Sequence, residues 1–447
     1  MRWSSTISRR QRGARLVHTS RAGPSFTTHT RMRMLYDPDR HEQLHSADAD
    51  GWDASRARAC IAAIVRDTEA QFRPDRGWPM HPLDIGPGDD PHAENPSLYF
   101  GACGVIWALQ YLASAGAAEL ERDWSIDAAW LVQRTREWLK DDAERERAAY
   151  LMGETPVRLL EHAQTGSSTA ADRLAELIEG NIEHPARELM WGSPGTLLAT
   201  VFMHERTRQE RFAQLFRRTA AVLWSQLKWS DEYGCHYWVQ QLYGQLSTYM
   251  DAVHGFVGTA LPLIRGRHLL APDDWARWQA CIATSVRRSA TLEGPEDGQI
   301  NWIPWLVLDA AQRDRWISKP RWLLQYCHGS PGFVINLASF PGTTLDALLL
   351  RAGETTWAAG PLRKGSNLCH GTGGNGYAFL KLFERTADAR WLHRARAFAM
   401  HGIRQTEAHA AQYGTLRYSL WTGDLGFAVY LWDCIRGQSA FPTLETF

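Results

Sequence analysis

Cysteine and histidine stand side by side twice in this chain, each time directly before a pair of glycines. Residues 366–383 read SNLCHGTGGNGYAFLKLF and contain Cys369 and His370, and the stretch YCHGSPGFVINL contains Cys327 and His328. Thiolate and imidazole are common zinc ligands in proteins. The glycines would let backbone or substrate come close. The two pairs are therefore candidate metal ligands.

The glycine pattern recurs along the whole chain. Six segments carry Gly-x-x-Gly at the head of an apolar helical run, with first glycines at positions 101, 192, 255, 329, 371 and 423. A seventh, degraded copy, YLMGETPVRLLEHA, has Gly153 and Pro156 in the two glycine places. Successive copies are 52, 39, 63, 74, 42 and 52 residues apart, and each step fits a pair of helices with loops.

The segments between the glycine motifs are amphipathic, as in RFAQLFRRTAAVLWSQLKW, with charges on one face and Trp, Leu and Ala on the other. A glycine in a helix costs about 1 kcal/mol relative to alanine, so seven paired occurrences need a geometric reason. Glycines at i and i+3 lie on one helix face and let neighbouring backbones converge. The sequence therefore predicts an all-α fold, an α/α toroid with seven inner helices inside seven outer ones.

Such a toroid would bring the two cysteine-histidine pairs together. If successive inner helices begin side by side at one end, Cys327 and Cys369 are neighbours in space, and His370 lies beside both. Two thiolates and one imidazole leave the fourth position of a tetrahedral zinc open, which is the pattern of a catalytic site. A thiol bound there would become a nucleophile, and a bound water would become hydroxide. The ligand set alone does not choose between these reactions.

Composition and charge exclude several classes of protein. Forty-nine basic and forty-nine acidic side chains produce no net field to attract nucleic acid or an anionic membrane. The longest apolar stretches, such as FVINLASF from Phe333, fall well short of the roughly 20 residues that span a bilayer. The seven cysteines are odd in number and widely spread, which favours reduced thiols and a cytoplasmic location. We expect no nucleic-acid partner, no transmembrane segment and a monomer.

The first residues have a different composition. Residues 1–36 contain eight arginines and no acidic residue, with many Ser and Thr. This is typical of a mitochondrial transit peptide or of a disordered leader, and Met32 or Met34 could equally be the true start. We expect a disordered leader or mis-assigned start at 1–36 and a single toroid domain at 37–447.

The chain contains seven glycine motifs in order, together with CHG and GNGY. From about residue 40 to its end it therefore resembles the lanthionine synthetase C-like family of lantibiotic cyclases and their eukaryotic relatives. The resemblance implies an α/α toroid with zinc held by Cys327, Cys369 and His370. It also implies addition of a thiol, from a peptide cysteine or glutathione, to dehydroalanine or dehydrobutyrine in a peptide or protein. The product would be a thioether.

The resemblance also implies the groups that transfer protons. Attack of a thiolate on the β-carbon creates an enolate, whose α-carbon an acid must protonate. His254, in AVHGFVG, matches the family's catalytic histidine, and Glu188, in ELMWGSPG, stands where the family has an acidic side chain that could orient or protonate it. His328 and Asn375 are predicted to bind substrate.

One position departs from the pattern of the bacterial cyclases. Some of them have an arginine four residues before the first zinc cysteine, where this chain has Leu323, and Arg321 and Lys364 are the possible substitutes. His328 follows Cys327 as in the CHG form of the eukaryotic-type relatives, whereas a lantibiotic cyclase can carry tyrosine there. These features favour the LanC-like branch, which is associated with adding glutathione.

Three other functions stay open at the level of sequence. A glycoside hydrolase on the same architecture would need two facing carboxylates, for which Glu188 and Asp251 are candidates, but it leaves the two cysteine-histidine pairs unexplained. A zinc-dependent prenyltransferase would explain thiol activation, yet its usual ligand set includes a carboxylate that this motif lacks. A zinc-stabilised scaffold could bind glutathione or a peptide without turnover.

Overall fold

In the part of the chain that the structure describes, fourteen α-helices alternate between an inner and an outer layer. The computed structural model describes residues 34–44, 51–86, 90, 94–140, 146–295, 298–307, 314 and 321–447. The inner helices are α2 (Ala102–Ser114), α4 (Thr155–Thr165), α6 (Ser193–Thr207), α8 (Phe256–Arg265), α10 (Ser330–Leu337), α12 (Thr372–Thr386) and α14 (Asp424–Arg436). The outer helices are α1 (Ala54–Ala70), α3 (Ala128–Leu139), α5 (Ser168–Asn181), α7 (Glu210–Ser225), α9 (Pro272–Arg288), α11 (Asp346–Ala359) and α13 (Ala389–Tyr413).

Burial distinguishes the two layers. Helix α6 is buried at every position from Ser193 to Met203, and α10 is buried along its whole length. In α7, by contrast, the buried residues recur every three or four positions, because only one face of an outer helix packs against the inner layer. Each inner helix contacts the next, and α14 contacts α2. The predicted toroid of seven inner and seven outer helices is confirmed.

The loops that precede the inner helices are joined by backbone hydrogen bonds, which we call the loop ring. All six acceptors lie two residues before the first glycine of a motif. The bonds run from Tyr99 N to Leu151 O (3.1 Å), Leu151 N to Met190 O (3.1 Å), Leu189 N to Val253 O (3.1 Å), Cys327 N to Cys369 O (3.1 Å), Cys369 N to Trp421 O (2.9 Å) and Trp421 N to Tyr99 O (3.2 Å). The last of these joins the seventh repeat to the first, and among the described residues the series has one gap, between the fourth and fifth repeats.

The glycine pairs allow each loop to fold back onto its own helix. In six motifs the first glycine is the N-cap of the inner helix, and the second lies at its third residue. A Cβ on Gly195 would lie 2.2 Å from Leu189 O and 2.5 Å from Cβ of Tyr150 in the preceding repeat. A Cβ on Gly332 would likewise lie 2.5 Å from Cβ of Ala252. The predicted close approach is confirmed, and the helix's own loop contributes to it as well as the neighbouring repeat.

The degraded second motif still produces an inner helix, but its cap differs. Helix α4 is capped by Glu154 instead of glycine. The carboxylate of Glu154 is 1% exposed and forms ion pairs with Arg147 (3.1 Å), Arg158 (2.8 Å) and Arg173 (3.3 Å). Buried carboxylates need such partners. Gly153 keeps its role, because a Cβ there would lie 2.4 Å from Arg147 O.

Among the described residues, three two-stranded antiparallel hairpins lie in the two longest repeat steps, where only helices and loops were predicted. Strand β1 (Lys228–Ser230) pairs with β2 (Cys235–Tyr237), β3 (Gln240–Leu242) with β4 (Gln245–Ser247), and β5 (Ala290–Glu293) with β6 (Gln299–Trp302). They lie between α7 and α8 and between α9 and α10. The added strands explain why these steps are 63 and 74 residues long.

The C-terminal residues 441–447 fill the centre of the ring. Arg265 in α8 donates to Leu444 O at 2.7 Å, and the ring of Phe441 stacks on Tyr326 at 4.8 Å. The ring of Phe447 lies 5.8–6.4 Å from three aromatic rings of the first three repeats, Trp107, Tyr150 and Phe202. Because these partners come from repeats around the ring, the segment lies near its axis and supports the loop that carries Cys327.

Leu35, which belongs to the predicted leader, contacts the fold. Residues 1–33 of the predicted leader lie outside the described residues. Leu35 is fully buried, its N–H donates to Gln299 Oε1 at 2.8 Å, and its carbonyl accepts from Asn301 Nδ2 at 2.7 Å. The β5–β6 hairpin therefore holds residue 35 in the fold, before the predicted boundary at 36. Within the described ranges, no helix combines the length and apolarity needed to cross a membrane.

Replacing the second glycine of a motif should destabilise the ring. We expect Gly195→Ala to lower the free energy of unfolding by about 1–3 kcal/mol, because the added Cβ overlaps Leu189 O. Thermal and urea unfolding measure this. The control is Gly180→Ala in α5, where a Cβ would meet no atom within 4 Å and the helix should gain up to about 1 kcal/mol. Unchanged stability of Gly195→Ala would contradict the role given to the glycine pairs.

Candidate metal centre and proton-transfer groups

Three of the predicted site residues form one compact cluster. The ligand atoms of Cys327, Cys369 and His370 all lie within 4.8 Å of one another. The loop ring places them, because Cys327 N donates to Cys369 O and so joins the fifth and sixth repeats. The N–H of His370 donates to Asn367 Oδ1 at 3.0 Å, which holds the end of its loop. The structure therefore brings these three side chains together, as the sequence predicts.

The donor set fits zinc. Zinc binds thiolate at about 2.3 Å and imidazole at about 2.0 Å, so a single ion between these three donors could contact all of them after small side-chain adjustments. Two cysteines and one histidine leave a fourth tetrahedral position for another ligand. Among the described residues this is the one group of three His, Cys, Asp or Glu side chains with ligand atoms so close together.

Both cysteine sulfurs accept hydrogen bonds from side chains that sequence reasoning missed. Tyr99 Oη donates to Cys369 Sγ at 2.7 Å, and Gln325 Nε2 donates to Cys327 Sγ at 2.9 Å. The contact with Cys369, followed by burial, raises the pKa of Cys327. Burial also acts to raise the pKa of Cys369, but the hydrogen bonds from Cys327 and Tyr99 outweigh it and lower that pKa. The arrangement favours thiolate on Cys369.

Tyr99 could have been found by aligning the repeats. It lies two residues before Gly101, as Cys327 and Cys369 lie two residues before their own first glycines. The residues at this position carry the acceptors of the loop ring, so their side chains start from equivalent places around one opening. The position of Tyr99 in LYFG shows this equivalence, but a tyrosine among apolar residues is typical of a hydrophobic core.

The predicted pair of His254 and Glu188 is in contact. His254 Nδ1 lies 2.8 Å from Glu188 Oε2, and the fully buried carboxylate also accepts from the backbone N–H groups of Met190 and Trp191. Burial lowers the pKa of His254, but the hydrogen bond and charge of Glu188 outweigh it and raise the pKa to about 9. Nε2 is the ring nitrogen left for another partner. His254 is therefore an imidazolium at neutral pH.

A second histidine-carboxylate pair lies beside the first. His328 Nδ1 is 2.7 Å from Asp251 Oδ2, and Asp251 Oδ1 accepts from the N–H groups of Val253 and His254. Burial lowers the pKa of His328, but the charge of Asp251 outweighs it and raises the pKa. The ring of Tyr249 lies 5.9 Å from His254 and 6.2 Å from His328. The two pairs thus share one aromatic neighbour.

These contacts argue against the glycoside hydrolase alternative. Glu188 and Asp251 are 0% and 1% exposed. Each carboxylate is already engaged by a histidine and by two backbone N–H groups. The general acid and the nucleophile or base of a glycosidase must both face the sugar. These two carboxylates instead contact histidines.

The other predicted residues lie around the cluster. Asn375 is fully buried, and its Nδ2 donates to Leu324 O at 3.0 Å, so it supports the loop that carries Cys327. Its predicted contact with substrate stays a prediction. Burial and the charge of Arg40 lower the pKa of Lys364, while Cys327 and Cys369 act to raise it. Lys364 is therefore close enough to interact electrostatically with both cysteines.

Comparison with known proteins agrees with this architecture. The solved structure of nisin cyclase superposes with a TM-score of 0.54 at 15% sequence identity, over 76% of this chain and 88% of that one. At this identity the likeness supports the toroid fold alone. LanC-like protein GCL1 of Arabidopsis thaliana is 36% identical over 132 residues, which cover 28% of this chain and 30% of that protein.

A family profile identifies the family, and a longer match to a curated protein agrees with it. Glutathione S-transferase LANCL1 of Danio rerio is 29% identical over 305 residues, which cover 64% of this chain and 69% of that protein. The profile of the lanthionine synthetase C-like proteins matches residues 92–446, which include all seven glycine motifs and every site residue named above except Arg40. The chain belongs to the lanthionine synthetase C-like protein family.

Proposed function

We propose that this protein is an enzyme that adds a thiol to dehydroalanine or dehydrobutyrine at a zinc site and so forms a thioether. The observation that carries the proposal is the presence of two cysteines and one histidine in one cluster, beside two histidines with buried carboxylate partners. Family membership supports thiol chemistry. The name of the Danio rerio relative, a glutathione S-transferase, favours glutathione as the thiol.

Cys327, Cys369 and His370 are the residues that would hold the zinc. When bound, zinc lowers the pKa of a coordinated thiol, so that the thiol is a nucleophilic thiolate at neutral pH. The positive charge of Lys364 favours an anionic thiol substrate such as glutathione at the same place.

His254 would supply the proton that completes the addition. As the thiolate sulfur bonds to the β-carbon, the π electrons of the double bond move toward the carbonyl and give an enolate. The imidazolium of His254 then donates its Nε2 proton to the α-carbon, while Glu188 holds Nδ1 and fixes the ring. Because its pKa is raised to about 9, His254 is supplied in the donor form at neutral pH.

His328 would bind the carbonyl of the acceptor. The charge of Asp251 favours an imidazolium on His328, which could donate to the oxygen that becomes the enolate. This would serve in place of the arginine that some bacterial cyclases have where this chain has Leu323. The assignment agrees with the substrate-binding role that the sequence predicts for His328.

Purified protein should contain one zinc per chain, and Cys369→Ala should lose most of it, because two remaining ligands bind zinc too weakly. Elemental analysis of dialysed protein measures this. Cys434→Ala, which changes a buried cysteine in α14, is the matched control and should keep its zinc. Wild-type protein without zinc, or Cys369→Ala with a full complement, would overturn the ligand assignment.

The second expected outcome concerns turnover. With glutathione and a dehydroalanine peptide, the wild-type protein should form the thioether faster than the uncatalysed reaction, and His254→Ala should be about 10²–10⁴-fold slower with its zinc retained. Mass spectrometry follows the adduct. An unchanged rate in His254→Ala would remove that residue from the mechanism. Binding of zinc and glutathione without any adduct would instead support a scaffold.

The pH dependence of kcat/KM should depend on Glu188. The rate needs protonated His254, so it should fall as pH rises through the pKa of about 9. In Glu188→Gln the neutral amide no longer stabilises the imidazolium, so the fall should move to lower pH by about one unit or more. Identical alkaline limbs in the two proteins would show that Glu188 does not set the protonation of His254.

A further inference from the structure

Both metal-binding sulfurs are hydrogen-bonded by donors that are themselves held in place. Tyr99 Oη reaches Cys369 Sγ at 2.7 Å, and Gln325 Nε2 reaches Cys327 Sγ at 2.9 Å. Cys369 and Cys327 are both buried, at 3% and 8% exposure.

The orientation of each donor is determined by its surroundings. Gln325 Oε1 accepts from Arg40 Nη2 at 3.0 Å, and because a guanidinium only donates, the amide must turn its NH₂ group toward the sulfur. Tyr99 takes part in the loop ring through its backbone, and its ring stacks on Trp421 at 5.7 Å with an interplanar angle of 19°. Neither donor can leave its sulfur without breaking another contact.

The proposed reaction creates a need for such donors. Its acceptor is an electrophile, and three sulfurs would lie near it, two from the protein and one from the substrate. If a ligand cysteine attacked, its sulfur would bond to the β-carbon, the π electrons would move toward the carbonyl, and the α-carbon would take up a proton. The protein would then carry a thioether at a metal ligand. A donated hydrogen bond lowers the basicity of a thiolate and, with it, its nucleophilicity.

We propose that Tyr99 and Gln325 are positioning residues that select the nucleophile, because they shield the two ligand sulfurs and leave the incoming thiol as the one that attacks. This inference rests on the proposed function. Each donor serves one sulfur, Tyr99 that of Cys369 and Gln325 that of Cys327, so each substitution should affect one cysteine and not the other. Arg40 acts one contact further out by fixing the amide of Gln325.

The experiment measures which cysteine reacts with an electrophile. Zinc-loaded wild type, Tyr99→Phe and Gln325→Met are treated with N-ethylmaleimide, and peptide mass spectrometry follows each cysteine over time while elemental analysis confirms the zinc. Loss of one charge-assisted hydrogen bond should speed modification about tenfold, at Cys369 in Tyr99→Phe and at Cys327 in Gln325→Met. Tyr430→Phe is the control, since that buried hydroxyl donates to Ala395 O and touches no ligand sulfur.

Faster labelling of a different single cysteine in each variant distinguishes loss of one hydrogen bond from a general increase in the mobility of the site. Equal acceleration at both cysteines in both variants, unchanged labelling with zinc retained, or loss of zinc from Tyr99→Phe would each overturn the inference while leaving the proposed function intact. A wild-type protein that binds no zinc, or forms no thioether, would instead remove the function on which the inference rests.

Discussion

The fold depends on the close approach of each loop to the head of its own inner helix, which glycine at the second motif position permits in six of the seven repeats. With a Cβ excluded there, the loop residues two places before the first glycine can turn their backbone groups toward the next repeat. Six hydrogen bonds then join the loops, and the one from Trp421 to Tyr99 links the seventh repeat to the first. Because the contact between loop and helix recurs in successive repeats, it arranges seven helical pairs around one axis.

The same repeated loop geometry also positions the side chains of the candidate site. Side chains two positions before a first glycine include Tyr99, Cys327 and Cys369, and the next position carries His254, His328 and His370 in three successive repeats. Residues four positions before a first glycine include Glu188 and Asp251, which accept from their own loops and hold the histidines. Equivalent positions in neighbouring loops therefore converge on one site, and the identity of each residue decides which of the proposed roles it can take: metal ligand, proton donor or support.

The sequence was sufficient to predict the features that repeat along the chain, but not the contacts and strands that occur in one repeat only. The glycine spacing was enough for the two-layered toroid and for the cluster of Cys327, Cys369 and His370, since both follow from one repeated geometry. The hairpins β1–β6 were not predicted, because short strands inside amphipathic segments leave little periodic signal. Gln325 and the contact of Asp251 with His328 were missed because each depends on which loop faces which, and spacing alone does not show that. Tyr99 was missed because a tyrosine among apolar residues is typical of a core. Leu35 was missed because arginine-rich composition outweighed one apolar residue.

The central claim is that the cluster holds a zinc whose open position receives the thiol substrate. X-ray absorption at the zinc edge of the purified protein, with and without glutathione, tests this most directly. The account predicts two sulfur ligands at about 2.3 Å with nitrogen or oxygen completing the shell, and a third sulfur at a similar distance once glutathione is added. Unchanged ligation in the presence of saturating glutathione, or four sulfurs in its absence, would contradict it.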